Sequence, residues 1–270
     1  MRNFFRSLKP TRDKRRRSES PDSHAPSQTT TEASIGVPPP AAVPAGPDYP
    51  IGVPSKFAPD GTVQRFPGNT IVSHLSPASP FYASLLSLHA KLAASPLASL
   101  YALLPPESWH MTVFEGVCDA VRNPGHWPKD LPVDASLAHC TSHFARKLES
   151  FQLGPAGQPP YGIVATGFSS FAVGIGVRVR LRSAEEEARF RKVRDRLAET
   201  LQVRHAHHDY YELHISLAYL LRYLNKEQKA ELAALLKEHF EGMPKEFELG
   251  SPEFCTFEDM FKFDRLFYLK

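Results

Sequence analysis

The chain has 270 residues, 42% of them hydrophobic and 23% charged, the balance of a globular protein rather than a low-complexity one. Three cysteines (Cys118, Cys140, Cys255) with no CxxC pair exclude a disulfide framework and a zinc ribbon, and no apolar run approaches the roughly 18 residues of a membrane-spanning helix. The net charge of +3 has one source: eight basic and five acidic residues before Tyr49 leave 24 of each in the remainder, so the folded part is not a basic body that grips duplex DNA by counterion release.

Residues 1–48 carry no aromatic side chain between Phe5 and Tyr49 and are rich in Pro, Ser, Thr and Ala. Such a stretch buries too little apolar surface to offset its ordering entropy and is expected to be a disordered basic tail. Its Lys14–Arg17 run reads as a solvated basic tail, or else as a nuclear address or a nucleic-acid contact.

From Tyr49 onward periodicity appears. Ser79 and Pro80 open a helix as N-cap and first helical residue, with Phe81, Leu85, Leu88 and Leu92 on one face. A strand over 110–115 follows, then a helix with Leu137, Cys140, Phe144 and Leu148 on one side. Strands are expected over 163–168 and 173–181, the latter alternating Val173, Ile175, Val177, Val179 and Leu181 with Gly and Arg. Ser183 and Glu186 form a capping box ahead of Phe190, Val193, Leu197 and Leu201. A strand over 214–219, a helix capped by Asn225 and Gln228 that carries Leu232, Leu235, Leu236 and Phe240, and a strand over 266–269 complete the chain. The class is α+β, with two sheet-bearing lobes packed into one body over 49–270.

Two strands share a pattern. His110-Met111-Thr112-Val113 and His214-Ile215-Ser216-Leu217 both read His, apolar, hydroxyl, apolar. Alternation along a strand points His110 with Thr112, and His214 with Ser216, to one side, while the apolar partners turn inward. Two imidazoles supply a proton acceptor and a proton donor near neutral pH. Two hydroxyls supply hydrogen bonds to phosphate oxygens as charge builds. The set suits cleavage of a phosphodiester without a metal or cofactor.

In this double motif the sequence resembles the 2H phosphoesterase superfamily, which includes RNA ligase-like enzymes and cyclic phosphodiesterases. The DUF1868 branch is the nearest within it. Lys56-Phe57, Asp60-Gly61, the Phe66–Thr70 string, the Trp109–Val117 string, Asp119, Arg122, Trp127-Pro128 and Leu131 carry that closer resemblance. It implies a bilobal fold with pseudo-twofold symmetry around a central cleft, one motif from each lobe, and metal-independent hydrolysis of a 2′,3′-cyclic phosphate or an RNA-terminal phosphodiester. His110 and His214 would be the acid–base pair, and Thr112 and Ser216 the phosphate binders. A noncatalytic RNA- or nucleotide-binding module, and an RNA end-joining ligase using the same cleft, are the alternatives.

Other residues admit two readings each. Phe114, two positions past Thr112, faces the cleft on a regular strand and is a candidate for stacking on a base; Tyr211 is another, whereas Tyr219 falls on the core side. Arg178 and Arg180, on the wet face of their strand, either neutralise phosphate or are solvated. Asn69 lies in a turn-like sequence and binds ligand or its own turn. The run His205-Ala206-His207-His208-Asp209 is a polar loop or, read more sharply, a metal cluster; with no HExxH helix or matched ligand set, no metal is expected. A monomer that acts on a small nucleotide or an RNA end, away from membranes and in the cytoplasm or nucleus, is the expected whole.

Overall fold

A computed structural model of the chain describes residues 48–270. The basic tail, with Lys14–Arg17, lies outside the described residues save for Asp48. In chain order the elements are β1 (Gly68–His74), α1 (Pro80–Ala93), β2 (Tyr101–Leu103), β3 (His110–Cys118), α2 (Leu137–Glu149), β4 (Tyr161–Phe168), β5 (Gly174–Leu181), α3 (Ala184–Leu201), β6 (His214–Leu220), α4 (Lys226–Gly242), β7 (Glu246–Leu249), β8 (Glu253–Phe257) and β9 (Asp264–Tyr268). Among the described residues no helix is long and apolar enough to cross a membrane.

The four helices begin where their caps place them. Ser79 and Ser136 each accept from a backbone N–H of the first turn, and Ser183–Glu186 and Asn225–Gln228 close reciprocal capping boxes. Each cap satisfies N–H groups that the helix itself leaves unpaired, worth about 1 kcal/mol apiece. Their apolar faces are buried: Phe81, Leu85, Leu88 and Leu92 on α1, Cys140, Phe144 and Leu148 on α2, Phe190, Val193, Leu197 and Leu201 on α3. Each such large apolar side chain contributes roughly 1.5–3 kcal/mol by leaving water. Phe81 stacks on Phe247 of β7 with ring centroids 3.9 Å apart, docking α1 on one edge of the sheet.

The strands form one antiparallel sheet in the order β7-β4-β5-β6-β3-β1-β8-β9, with β2 also on β6. Two separate sheets were expected. Instead, the halves β7-β4-β5-β6 and β3-β1-β8-β9 are continuous through a single pair, Met111↔Ile215. Past that pair β6 turns to β2, where Tyr101, Ala102 and Leu103 oppose Leu220, Tyr219 and Ala218. The strands diverge there, and the sheet curls open on one side. Strands β1, β2, β7 and β8 were not expected from the sequence. In particular, Asn69 belongs to a buried strand, not to a turn.

A bulge interrupts each motif strand. Between β1 and β3 the register passes from Val72↔Thr112 to Ile71↔Phe114, leaving Val113 as the extra residue. Between β5 and β6 it passes from Gly176↔Ser216 to Ile175↔Ala218, leaving Leu217 extra. Each extra residue stands three positions after its histidine. The inserted residue reverses the facing of the residues that follow it, which in β3 holds as far as Glu115, before a second irregularity opposite the Asn69–Ile71 stretch of β1. Hence both strands begin with the same succession: half-buried, buried, half-buried, buried, buried, half-buried.

Candidate active site

The Met111↔Ile215 pair sets the geometry. Both side chains are fully buried, so each pins the middle of its motif to the core. Extending the antiparallel register by one residue either way sets His110 across from Ser216 and Thr112 across from His214. All four flanking side chains line one cavity of about 800 Å³, together with Arg178 and Tyr211. On the far side of β6, Arg178 of β5 pairs with His214 and Gly176 pairs with Ser216. Gly176, like Ser216, lines the cavity.

The two imidazoles are held alike. His110 Nδ1 lies 2.7 Å from the carbonyl of Ser108, and His214 Nδ1 lies 2.8 Å from that of Glu212. A carbonyl only accepts, so Nδ1 carries the proton in both rings, and in the neutral form each Nε2 keeps its lone pair. In each case the anchoring carbonyl belongs to the residue two before the histidine.

Burial is the largest influence on His110 and pulls its pKa down to about 3; the Ser108 carbonyl opposes this, while His74 and His214 add repulsion. The ring is neutral in the free protein. Its edge contacts are Phe263, at 4.3 Å between centroids, and His74, at 5.9 Å. Behind it, His74 Nδ1 bonds Glu253 at 3.0 Å, and Arg265 reaches the same carboxylate at 3.2 Å. Burial pushes the Glu253 carboxyl upward, but His74 and Arg265 outweigh it and hold it below the usual range.

Beneath Thr112 sits a buried cation. Arg194 of α3 is 1% exposed; its Nη1 donates to the carbonyl of the bulged Val113 at 2.6 Å, and its guanidinium lies 4.4 Å from the ring centre of Tyr211. Its Nη2 stands 3.8 Å from Glu115. Burial lowers the Arg194 pKa, partly offset by Tyr211 and Glu115. Burial raises the Tyr211 phenol, which is therefore protonated, and Thr112 is its hydrogen-bonding neighbour. The equivalent bulge carbonyl in β6, that of Leu217, takes a backbone N–H from Leu104 instead.

The remaining expected residues separate. Phe114 is 1% exposed and does not line the cavity: the bulge at Val113 turns it into the core and gives its place to Glu115. The same device in β6 brings Tyr219 to the cavity rather than the core, where its hydroxyl accepts from Lys56 Nζ at 3.1 Å. Asn69 is fully buried away from the cavity, with Nδ2 donating to Thr141 and Oδ1 accepting from Val117 N–H, so it has no free group for a ligand. Arg178 lines the cavity; Arg180 does not, and its guanidinium donates to the carbonyls of Leu181 and Arg182 at the edge of an adjoining depression. The three histidines of the 205–208 run go to three different acceptors, Gly116 O, Glu115 and Asp195, while the ligand atoms of His208 and Asp209 lie with that of Asp195 within 4.8 Å of one another.

Lys56 and Glu115 line the cavity without having been expected there, whereas His207 belongs to the polar run expected near the cleft. Nothing in the sequence around Lys56 indicates that it meets Tyr219 from far along the chain.

The family described as 2H-phosphodiesterase, a domain of unknown function (DUF1868), matches residues 56–168, a span that holds His110 and Thr112. A solved structure of a conserved protein of unknown function, ATU0111 from Agrobacterium tumefaciens str. C58, superposes with a TM-score of 0.76 at 30% sequence identity, over 83% of this chain and 95% of that one. The chain belongs to the DUF1868 family of 2H phosphodiesterase type. No curated protein matches it. This 2H-type chain places its second motif, at His214, beyond the matched span.

Proposed function

We propose that the chain is a metal-independent phosphodiesterase that hydrolyses a 2′,3′-cyclic phosphate or an RNA-terminal phosphodiester, with residues 49–270 carrying the activity. One observation bears most of this reading: both motif histidines give Nδ1 to a backbone carbonyl and keep Nε2 for the cavity they share with Thr112 and Ser216. One Nε2 takes a proton from water as the water oxygen bonds to phosphorus. The other ring, protonated, gives its Nε2 proton to the departing ribose oxygen as the phosphorus–oxygen bond breaks. The product is a phosphomonoester, and the histidines exchange their protons through solvent. Thr112 and Ser216 donate to the non-bridging oxygens, and Arg178, beside His214, offsets their charge.

The reading treats the two halves of the sheet as lobes related by a pseudo-twofold axis at Met111 and Ile215. The matched bulges at Val113 and Leu217 support it. The test is a panel of 2′,3′-cyclic nucleotides and cyclic-phosphate-ended oligoribonucleotides, assayed with EDTA present. Release of a phosphomonoester with a bell-shaped pH–rate profile supports the proposal. Turnover that requires an added divalent ion, or binding without turnover across the panel, contradicts it.

A further inference from the structure

Next to the main cavity lies a second depression of about 290 Å³, which shares Arg178, Tyr211 and Glu212 with it. Three guanidiniums face it, those of Arg178, Arg180 and Arg191. Its two carboxylates, Glu187 and Glu212, leave one positive charge in excess. Glu187 is taken up by Arg191 Nε at 2.7 Å and by the Leu181 N–H, and Glu212 stands alone against the other two arginines. Arg178 makes no side-chain hydrogen bond or ion pair among the described residues, and Arg180 meets only carbonyls. Arg191 Nη1 is buried with no acceptor. A buried guanidinium N–H without a partner is unfavourable, and an anionic acceptor would satisfy it.

Arg178 and Arg180 are two apart on the outer face of β5, which spaces them by roughly 7 Å along the strand. Tyr210, 70% exposed, also lines the depression. Cations in a row beside an exposed aromatic ring suit a flexible single strand: phosphates against the arginines, a base against the ring. The body of the protein carries no net charge, so this concentration of charge is local.

We infer that the depression binds the phosphate and base of the nucleotide next to the scissile phosphodiester, so that the substrate is the end of a single-stranded RNA rather than a mononucleotide. The inference rests on the reading of the main cavity given above and names its substrate class. The two depressions adjoin through Arg178, Tyr211 and Glu212.

The experiment has two arms. In the first, turnover of 2′,3′-cyclic AMP is compared with that of a short oligoribonucleotide ended by a 2′,3′-cyclic phosphate. The wild type is expected to prefer the oligonucleotide about tenfold or more in kcat/KM, and Tyr210→Ala to reduce that preference about tenfold, the scale of one lost base stack. In the second arm, fluorescence anisotropy follows binding of a labelled oligoribonucleotide ended by a 3′-phosphate, which is not a substrate. Arg180→Gln is expected to lower the dependence of log affinity on log salt by about 0.7, the signature of one lost phosphate contact on a single strand. Equal use of both substrates, or an unchanged salt slope in Arg180→Gln, overturns the inference. Tight oligonucleotide binding that Arg180→Gln weakens, without turnover of either substrate, overturns the hydrolase reading and leaves the groove standing.

Discussion

Met111 and Ile215 are the middle residues of the two histidine motifs, and among the described residues they form the single register pair that joins β3 to β6. Because the strands are antiparallel, this one pairing brings the imidazole of each motif beside the hydroxyl of the other. Two motifs far apart in sequence thereby share one cavity, and each is anchored by an apolar side chain with no exposed surface. The placement of the four side chains depends on this register, since a slip of either strand by one residue would turn its histidine into the core.

Gly116 keeps the bulged part of β3 in place. Its φ is +64°, and a Cβ there would meet the Asn69 carbonyl oxygen at 2.1 Å. Gly116→Ala is expected to destabilise the fold by about 2 kcal/mol or more, from the left-handed conformation and the clash together. Urea unfolding measures it. A loss below about 0.5 kcal/mol would show that the strand reaches this path without glycine.

Arg194 ties α3 to the carbonyl of Val113 and lies under Tyr211. Arg194→Met keeps the bulk of the side chain but leaves that carbonyl and Glu115 without their cation. Breaking a buried charged contact of this kind costs about 3–5 kcal/mol, which for a chain of this size lowers Tm by roughly 10 °C. Thermal unfolding followed by circular dichroism is the check. An unchanged Tm would mean that the guanidinium is there for a purpose other than stability.

His110 links stability to acid. Its folded-state pKa of about 3 lies below the ordinary value of 6.5, so on acidification the unfolded chain takes up this proton first. The stability due to the neutral ring is fully present above about pH 6.5 and declines as pH falls toward 3, by at most about 1.4 kcal/mol per pH unit. Burial also lowers His205 and His208, so His110→Gln should flatten the decline, not abolish it. Denaturant titrations at pH 7 and pH 4.5 compare the two proteins. Parallel declines would show that the His110 ring is not held neutral by the fold.

Much of the fold is legible locally. Ser79-Pro80, the Ser183–Glu186 box and the Asn225–Gln228 box announce three helices, because capping is settled within four residues. The alternation through 173–181 announces β5 for the same reason. β1 is hidden: Pro67-Gly68-Asn69 has turn composition, yet Asn69 is paired on both sides by strands from elsewhere in the chain. Phe114 and Tyr219 were misassigned for one shared reason. Counting by twos assumes a regular strand, and each motif strand gains a residue where it meets its neighbour. A sign was present in the doubled apolar residues Val113-Phe114 and Leu217-Ala218, which break the alternation at the same place in both motifs. The His110 and His214 pattern itself needed no partner strand to be read. Their meeting in one cavity depends on pairing that the local sequence does not encode.

The most direct measurement is single-turnover hydrolysis of a cyclic-phosphate-ended oligoribonucleotide, in EDTA, by the wild type, His110→Ala, His214→Ala and the double variant, with folding verified by circular dichroism. If the two imidazoles act as one unit, each single variant loses about 100-fold or more, and the double variant loses far less than the product of the two. A folded single variant that keeps most of the wild-type rate, or losses that simply multiply, would contradict a shared two-histidine centre.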